Sequence, residues 1–286
     1  MNERAAVILS EDLSGVGGVS MSAALPLLTA MDLMPCALPT ALLSSHTGGL
    51  GANTALDLSA EMPKVLTHWQ TLGLDWQAVV LGYLGRSAMA VWQAWLPQLG
   101  SVPLRLIDPV MGDHGKLYRG FGAAEVVGMR RLVTQATLIT PNVTEAQALL
   151  GQPLTAAAQT PAAAAALAQA VATRFGVDVV LTGVSLVDGA IGVFGQTATG
   201  AWAQRAPRTP GDYFGTGDLF TALLAGAIVR GWAISDAAAL AAEFIRRALA
   251  YTRTVTADPR FGVAYAPILP WLITQLATTK EAQHDN

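Results

Sequence analysis

Phe214-Gly215-Thr216-Gly217-Asp218-Leu219-Phe220, running on into the uncharged stretch 221–229, sets a Gly-Thr-Gly turn at the mouth of a helix with a carboxylate in its first turn. A helix N-terminus offers unpaired N–H groups and the positive end of the peptide dipole. The turn of Gly215, Thr216 and Gly217 therefore suits an anion whose charge grows during a reaction. A carboxylate beside such a site is unfavourable unless it has a task, and accepting a proton from a hydroxyl that attacks a phosphoryl group is one. Asp218 is the candidate general base of phosphoryl transfer to a small molecule. The tetrapeptide alone also fits an ordinary helix start, with Thr216 as N-cap and Asp218 favoured by the dipole.

The surrounding pattern decides where this turn sits. Short apolar runs at 5–9, 79–81, 104–107, 137–139 and 177–181 alternate with helical patterns at 19–31, 63–72, 87–98, 123–133, 144–149 and 161–175. Such alternation predicts stacked βαβ units and an α/β fold with a mostly parallel central sheet. The five runs end at Ser10, Gly82, Asp108, Thr140 and Thr182. In an open parallel sheet ligands lie at the carboxyl ends of the strands, so these five residues should line one rim. Between 186 and 206, short apolar pieces broken by Gly189, Gly192, Gly195 and Gly200 predict an antiparallel meander at the sheet edge. Helices at 217–230, 235–255 and 267–277, with no strand between them, suggest a helical cap on the end of the sheet. The alanine-rich stretch 155–172 reads as a surface helix opened by Pro161. With no linker and no repeat, residues 1–286 are expected to form a single domain, ordered except at its extreme ends.

Composition narrows the function. A chain of 286 residues that is 52% hydrophobic and 13% charged can bury an extensive core. Its 17 basic and 20 acidic residues give a net charge of −3, which offers no footprint for nucleic acid or an anionic membrane. Cys36 stands alone, so an intrachain disulfide and a cysteine-rich metal cluster are excluded, and a reducing cytoplasm fits best. The long uncharged stretches are interrupted by Pro, Gln, Ser, Thr or His, and none reads as a membrane span. No Gly-x-x-x-x-Gly-Lys-Ser/Thr loop is present.

Two further strand ends carry acids. Asp108-Pro109-Val110-Met111-Gly112-Asp113 leads into His114-Gly115-Lys116 and then Tyr118. Two carboxylates so placed cannot both be buried cheaply without a cation or partner, which a Mg²⁺-nucleotide would supply; the alternative is a solvated turn capped by Asp108. The mixed loop 112–116 has the character of a lid over phosphates. Thr140-Pro141-Asn142-Val143-Thr144-Glu145 starts a helix in which Asn142 and Glu145 can form a capping box. Glu145 also suits orientation of Mg²⁺-bound water, since that ion keeps several waters. The glycine-rich segments after Ser10 and around His46-Thr47-Gly48 allow backbone to approach a small substrate. A lone histidine such as His46 is as readily a structural residue.

Taken in order along the chain, these segments resemble the ribokinase-like superfamily and, within it, the vitamin B6 kinases. The resemblance implies a three-layer α/β/α fold and phosphorylation of the hydroxymethyl group of pyridoxal, pyridoxine or pyridoxamine by ATP with Mg²⁺. It also implies a homodimer and activation by a monovalent cation such as K⁺. Ser10, His46, Thr47 and Tyr83 correspond to the substrate pocket, and Asp108, Tyr118, Asn142, Thr182 and Gly217 to the nucleotide site. Asp113 and Glu145 correspond to the metal positions, and Gly215, Thr216 and Gly217 with Asp218 to the anion hole and base. The loop 11–18 departs from the B6 pattern and is similar to the Asp-x-Ser-Gly-Gly-Ala-Gly loop of hydroxymethylpyrimidine kinases, which usually carry cysteine where Asp218 stands. Gly183 occupies a place often taken by serine. A hydroxymethylpyrimidine or other small-molecule kinase, and a non-catalytic B6-binding protein, are the alternatives.

Overall fold

The computed structural model describes residues 4–255 and 258–284. The expectation for the chain's last residues extends to 285 and 286, which lie outside that range. In chain order the elements are β1 (Ala6–Ser10), β2 (Leu13–Ser14), α1 (Ser20–Ala30), β3 (Met34–Ala37), β4 (Ala41–Leu43), β5 (Ala55–Asp57), α2 (Met62–Gln70), β6 (Trp76–Leu81) and α3 (Gly85–Trp95). There follow β7 (Leu104–Ile107), β8 (Gly112–Asp113), β9 (Lys116–Leu117), α4 (Ala123–Val133), β10 (Leu138–Ile139), α5 (Val143–Leu150) and α6 (Pro161–Phe175). The chain closes with β11 (Asp178–Ser185), β12 (Ala190–Thr197), β13 (Gly200–Pro207), α7 (Thr216–Val229), α8 (Ile234–Val255) and α9 (Leu269–His284).

Eight strands form the central sheet in the order β13-β12-β11-β10-β7-β6-β1-β3. From β3 to β11 every pairing is parallel, and β12 and β13 are added antiparallel. All five sequence-expected strands are present, and the meander forms one edge. The other edge, β3, escaped the sequence reading. Its Met-Pro-Cys-Ala run carries a proline, which removes a ladder donor and is tolerated at an edge. β2, β4 and β5 form a second small sheet, and β8 pairs with β9 as a two-stranded ribbon. These pieces of two or three residues are too short for a periodic signal.

The sheet is buried on both faces. Along β1, Ala6 and Ile8 join a core with side chains from α2 to α6, whereas Val7 and Leu9 join a second core with α1, α7, α8 and α9. This is the three-layer arrangement. The closing helices do not cap the sheet end as expected. α7 lies on a sheet face against β6 and β7, beside α1, and α8 stacks on it. Every residue from 219 to 227 is buried, and a helix apolar all round has to be covered on all sides. α8 is amphipathic, burying Ala237, Ala238, Leu240, Ala241, Phe244 and Ala248 on one stripe.

Candidate active site

The carboxyl ends of β1, β6, β7 and β10 and the start of α7 meet at one rim of the sheet. At its centre, Gly215 is the N-cap of α7 with φ 84°, and Thr216 is the first helical residue rather than the cap. A side chain at Gly215 is disfavoured twice: the backbone is left-handed, and a Cβ would lie 2.9 Å from the carbonyl oxygen of Gly18. No side chain caps this helix start, so its first N–H groups point to the rim.

Asp218, in the first turn, accepts a 2.6 Å hydrogen bond from the backbone N–H of Ser20. Ser20 has φ 46°, a conformation rare outside glycine, and this aims its N–H at the carboxylate. Burial raises the Asp218 carboxyl to about 6; the Ser20 N–H opposes that shift and Asp12 adds to it. Solvent still reaches Asp218, which is half-buried.

Asp108 follows β7 and is 7% exposed, so it is not a solvated turn. It accepts a 3.0 Å hydrogen bond from Thr221 Oγ1 of α7, and Thr221 in turn meets Thr140 Oγ1 at 3.2 Å. Gly217 neighbours this acid: a Cβ there would lie 4.0 Å from Asp108 Oδ2, an ordinary contact. Burial, then repulsion by Asp218, pushes the Asp108 carboxyl up, against the Thr221 bond.

The capping box at α5 is formed in both directions: Asn142 Oδ1 accepts from Glu145 N–H at 3.0 Å, and Glu145 Oε2 accepts from Asn142 N–H at 2.9 Å. Glu145 Oε1 also accepts from Met111 N–H at 3.1 Å, so this buried acid ties α5 to the Asp108 loop. Burial and then Asp108 raise its carboxyl well above the usual range. Asn142 Nδ2 donates to Gly112 O at 2.8 Å. The β8-β9 ribbon turns at His114 and Gly115, both with positive φ, and Gly115 N–H donates to Thr144 Oγ1 at 2.9 Å. Asp113 and Tyr118 are exposed on it. Thr182 sits where the β11 ladder slips between Leu181 and Val184, and it bridges instead to Asn142, its N–H donating to Pro141 O at 2.9 Å.

On the other flank, Ser10 is fully buried and its Oγ accepts from Trp92 Nε1 at 2.8 Å. Tyr83 is half-buried, its ring edge-on to Phe121 at 5.8 Å. His46 is buried and spends both ring nitrogens on backbone: Nδ1 accepts from Gly48 N–H at 3.0 Å and Nε2 meets Arg260 O. Its ring lies 5.1 Å from that of Phe214, just before the anion turn, and Thr47 beside it is exposed.

Several rim residues drew no assigned role from sequence. Glu11 and Asp12 are both buried behind β1, Asp12 accepting from Ser14 Oγ at 2.8 Å. Two adjacent acids directly after an apolar strand were the available signal. Ser20 and Thr221 carried none, because their roles depend on contacts across 198 and 113 residues.

The rim can hold an anion against uncapped N–H groups while a carboxylate faces an incoming hydroxyl. Among the described residues no group of three or more His, Cys, Asp or Glu is placed to hold a metal ion directly. With Asp113 open to solvent and Glu145 buried behind it, this donor set would suit an ion that keeps most of its waters better than an all-protein cage.

The fold is that of the ribokinase-like small-molecule kinases. The crystal structure of pyridoxal kinase from Lactobacillus plantarum superposes with a TM-score of 0.87 at 36% identity, covering 96% of this chain and 98% of that one. A Bacteroides thetaiotaomicron structure described under phosphomethylpyrimidine kinase, in a crystal form with pyridoxal, gives 0.87 at 31% identity with 96% of each chain covered. The chain belongs to the phosphomethylpyrimidine kinase family, which it matches over residues 12–261. Among curated relatives, the pyridoxine/pyridoxal/pyridoxamine kinase of Bordetella avium is 35% identical over 273 residues, 90% of each chain.

Proposed function

We propose that this chain transfers the terminal phosphoryl group of ATP to the hydroxymethyl group of a vitamin B6 vitamer: pyridoxal, pyridoxine or pyridoxamine. The observation that carries the reading is the pairing of an uncapped helix start at Gly215-Thr216-Gly217 with the Asp218 carboxylate in the same turn. B6 kinases among the relatives at 35% and 36% identity support the acceptor.

In this reading Asp218 Oδ takes the proton of the attacking hydroxyl, while the N–H groups of Gly215, Thr216 and Gly217 meet the charge gathering on the transferred group. Asp218 is largely ionised at neutral pH, as a base must be, because its carboxyl titrates at about 6. Most of the acceleration comes from positioning, since the transferring group needs little covalent help. Asp108, Tyr118, Asn142 and Thr182 would line the nucleotide, and Thr47 and Tyr83 the acceptor, with Ser10 and His46 buried behind them as supports. Asp113 and Glu145 would hold Mg²⁺ through its waters, the ion neutralising phosphate charge. A homodimer in the cytoplasm and K⁺ activation belong to the same proposal.

A coupled assay with MgATP against pyridoxal, pyridoxine, pyridoxamine and hydroxymethylpyrimidine tests it. Turnover of at least one vitamer in preference to the pyrimidine is expected. A clear preference for the pyrimidine overturns the acceptor, and tight pyridoxal binding without transfer overturns the enzyme.

A further inference from the structure

One buried carboxyl oxygen at the rim is not accounted for by the reaction. Glu11 is 4% exposed and follows β1, where alternation turns Ser10 towards Trp92 of α3 and Glu11 towards α7. Its Oε1 has no hydrogen-bond partner, and its Oε2 lies against Gly82, where any Cβ would collide with it. Three acids face it: Asp218 from α7, Asp12 from its own loop and Asp108 from the end of β7. The basic ring nearest to Asp12, His46, already has both nitrogens engaged with backbone. Burial first, then those three acids, push the Glu11 carboxyl well above its ordinary range, which favours its protonated form. Leaving a buried polar group unpaired is costly, and such groups persist where a ligand completes them.

We propose that Glu11 recognises the heteroaromatic ring of the acceptor, its carboxyl pairing with a ring nitrogen; the inference rests on the phosphotransferase reading above. The carboxyl O–H gives its proton to the nitrogen lone pair, and the carboxylate left behind accepts the N⁺–H. The exchange adds no net charge to a pocket already lined by three other acids, and charge-assisted pairs of this kind are the strong ones. A sugar acceptor, lacking such a nitrogen, gains nothing from Glu11.

The test is Glu11→Gln, which keeps shape but has no proton to give, with circular dichroism to verify folding and Glu11→Ala as a second variant. Pyridoxine absorbs differently with its ring nitrogen protonated, so the spectrum of the bound ring is read at a pH above that nitrogen's own pKa in water. The wild type is expected to show a protonated ring and Glu11→Gln an unprotonated one. The acceptor KM should rise about 10- to 100-fold, the range for losing a hydrogen bond to a charged group. KM for ATP should be unchanged. An unaltered acceptor KM and bound spectrum, or a rise in the KM for ATP instead, overturns the assignment. If the wild type proves to use only the pyrimidine, the B6 reading fails by itself. The same comparison then runs on that acceptor, where a raised KM supports Glu11 and an unchanged one overturns it.

Discussion

Asp218 is held at the rim by one short bond from Ser20, whose unusual backbone angle exists to deliver an N–H to it. Removing the carboxylate by Asp218→Ala should lower kcat by roughly 10² or more, the range for loss of a general base, with ATP affinity retained. Steady-state kinetics with an independent nucleotide titration separates the two. Because the base must be ionised and titrates at about 6, kcat/KM should fall as pH drops below about 6 and level off above it. A pH profile flat from 5 to 8 would contradict that role. At this scale the sequence was legible wherever a motif announces its own chemistry: the turn before Asp218, the Asn142–Glu145 box and the acid after β7 all stood out. Glu11 and Ser20 did not, because their meaning lies in a missing partner and in a contact across nearly 200 residues.

Among elements, α5 has the best-defined start. Its two reciprocal bonds, with the added bond from Met111 N–H to Glu145, fasten the loop after Asp108 to the helix. Asn142→Ala should destabilise the protein by about 1 kcal/mol, the usual cost of losing a cap, as read by urea denaturation. It should also loosen the β8-β9 ribbon, since Asn142 Nδ2 holds Gly112 O. Midpoints that match the wild type would show that the cap contributes nothing. The long helices and buried parallel strands were readable because hydrophobic period and strand length are strong signals. The position of α7 was not. Its uniformly apolar residues say that it is covered but not by what, and the pairing of Gly226 with Met31, the residue that closes α1, where a Cβ would collide with the Met31 sulfur, shows how closely it packs.

Across the whole molecule, five acids with raised carboxyls share the rim: Glu11, Asp12, Asp108, Glu145 and Asp218. The folded state therefore holds more protons than the unfolded chain above the ordinary carboxylate range, and stability must fall as pH rises through that window. For Asp218 the window runs from the unfolded 3.8 to about 6. Its share is on the order of 1–2 kcal/mol after allowing for solvent screening. Thermal unfolding of the unliganded protein should accordingly give a lower Tm at pH 8 than at pH 5. Asp218→Asn should recover a few degrees at pH 8, about 2–4 °C per kcal/mol for a chain of this size. Equal melting at both pH values would show that the rim acids are not strained. That cost is tolerable if the site exists to meet phosphates that arrive with a divalent cation. The most direct check is therefore the chemistry itself: purified wild-type protein and Asp218→Ala with MgATP and each of pyridoxal, pyridoxine and pyridoxamine, the 5′-phosphate followed by mass spectrometry. Phosphate appearing on the vitamer at least about 10² faster with wild type is the expected result. Equal rates, or no phosphorylated vitamer with either protein, would contradict the account.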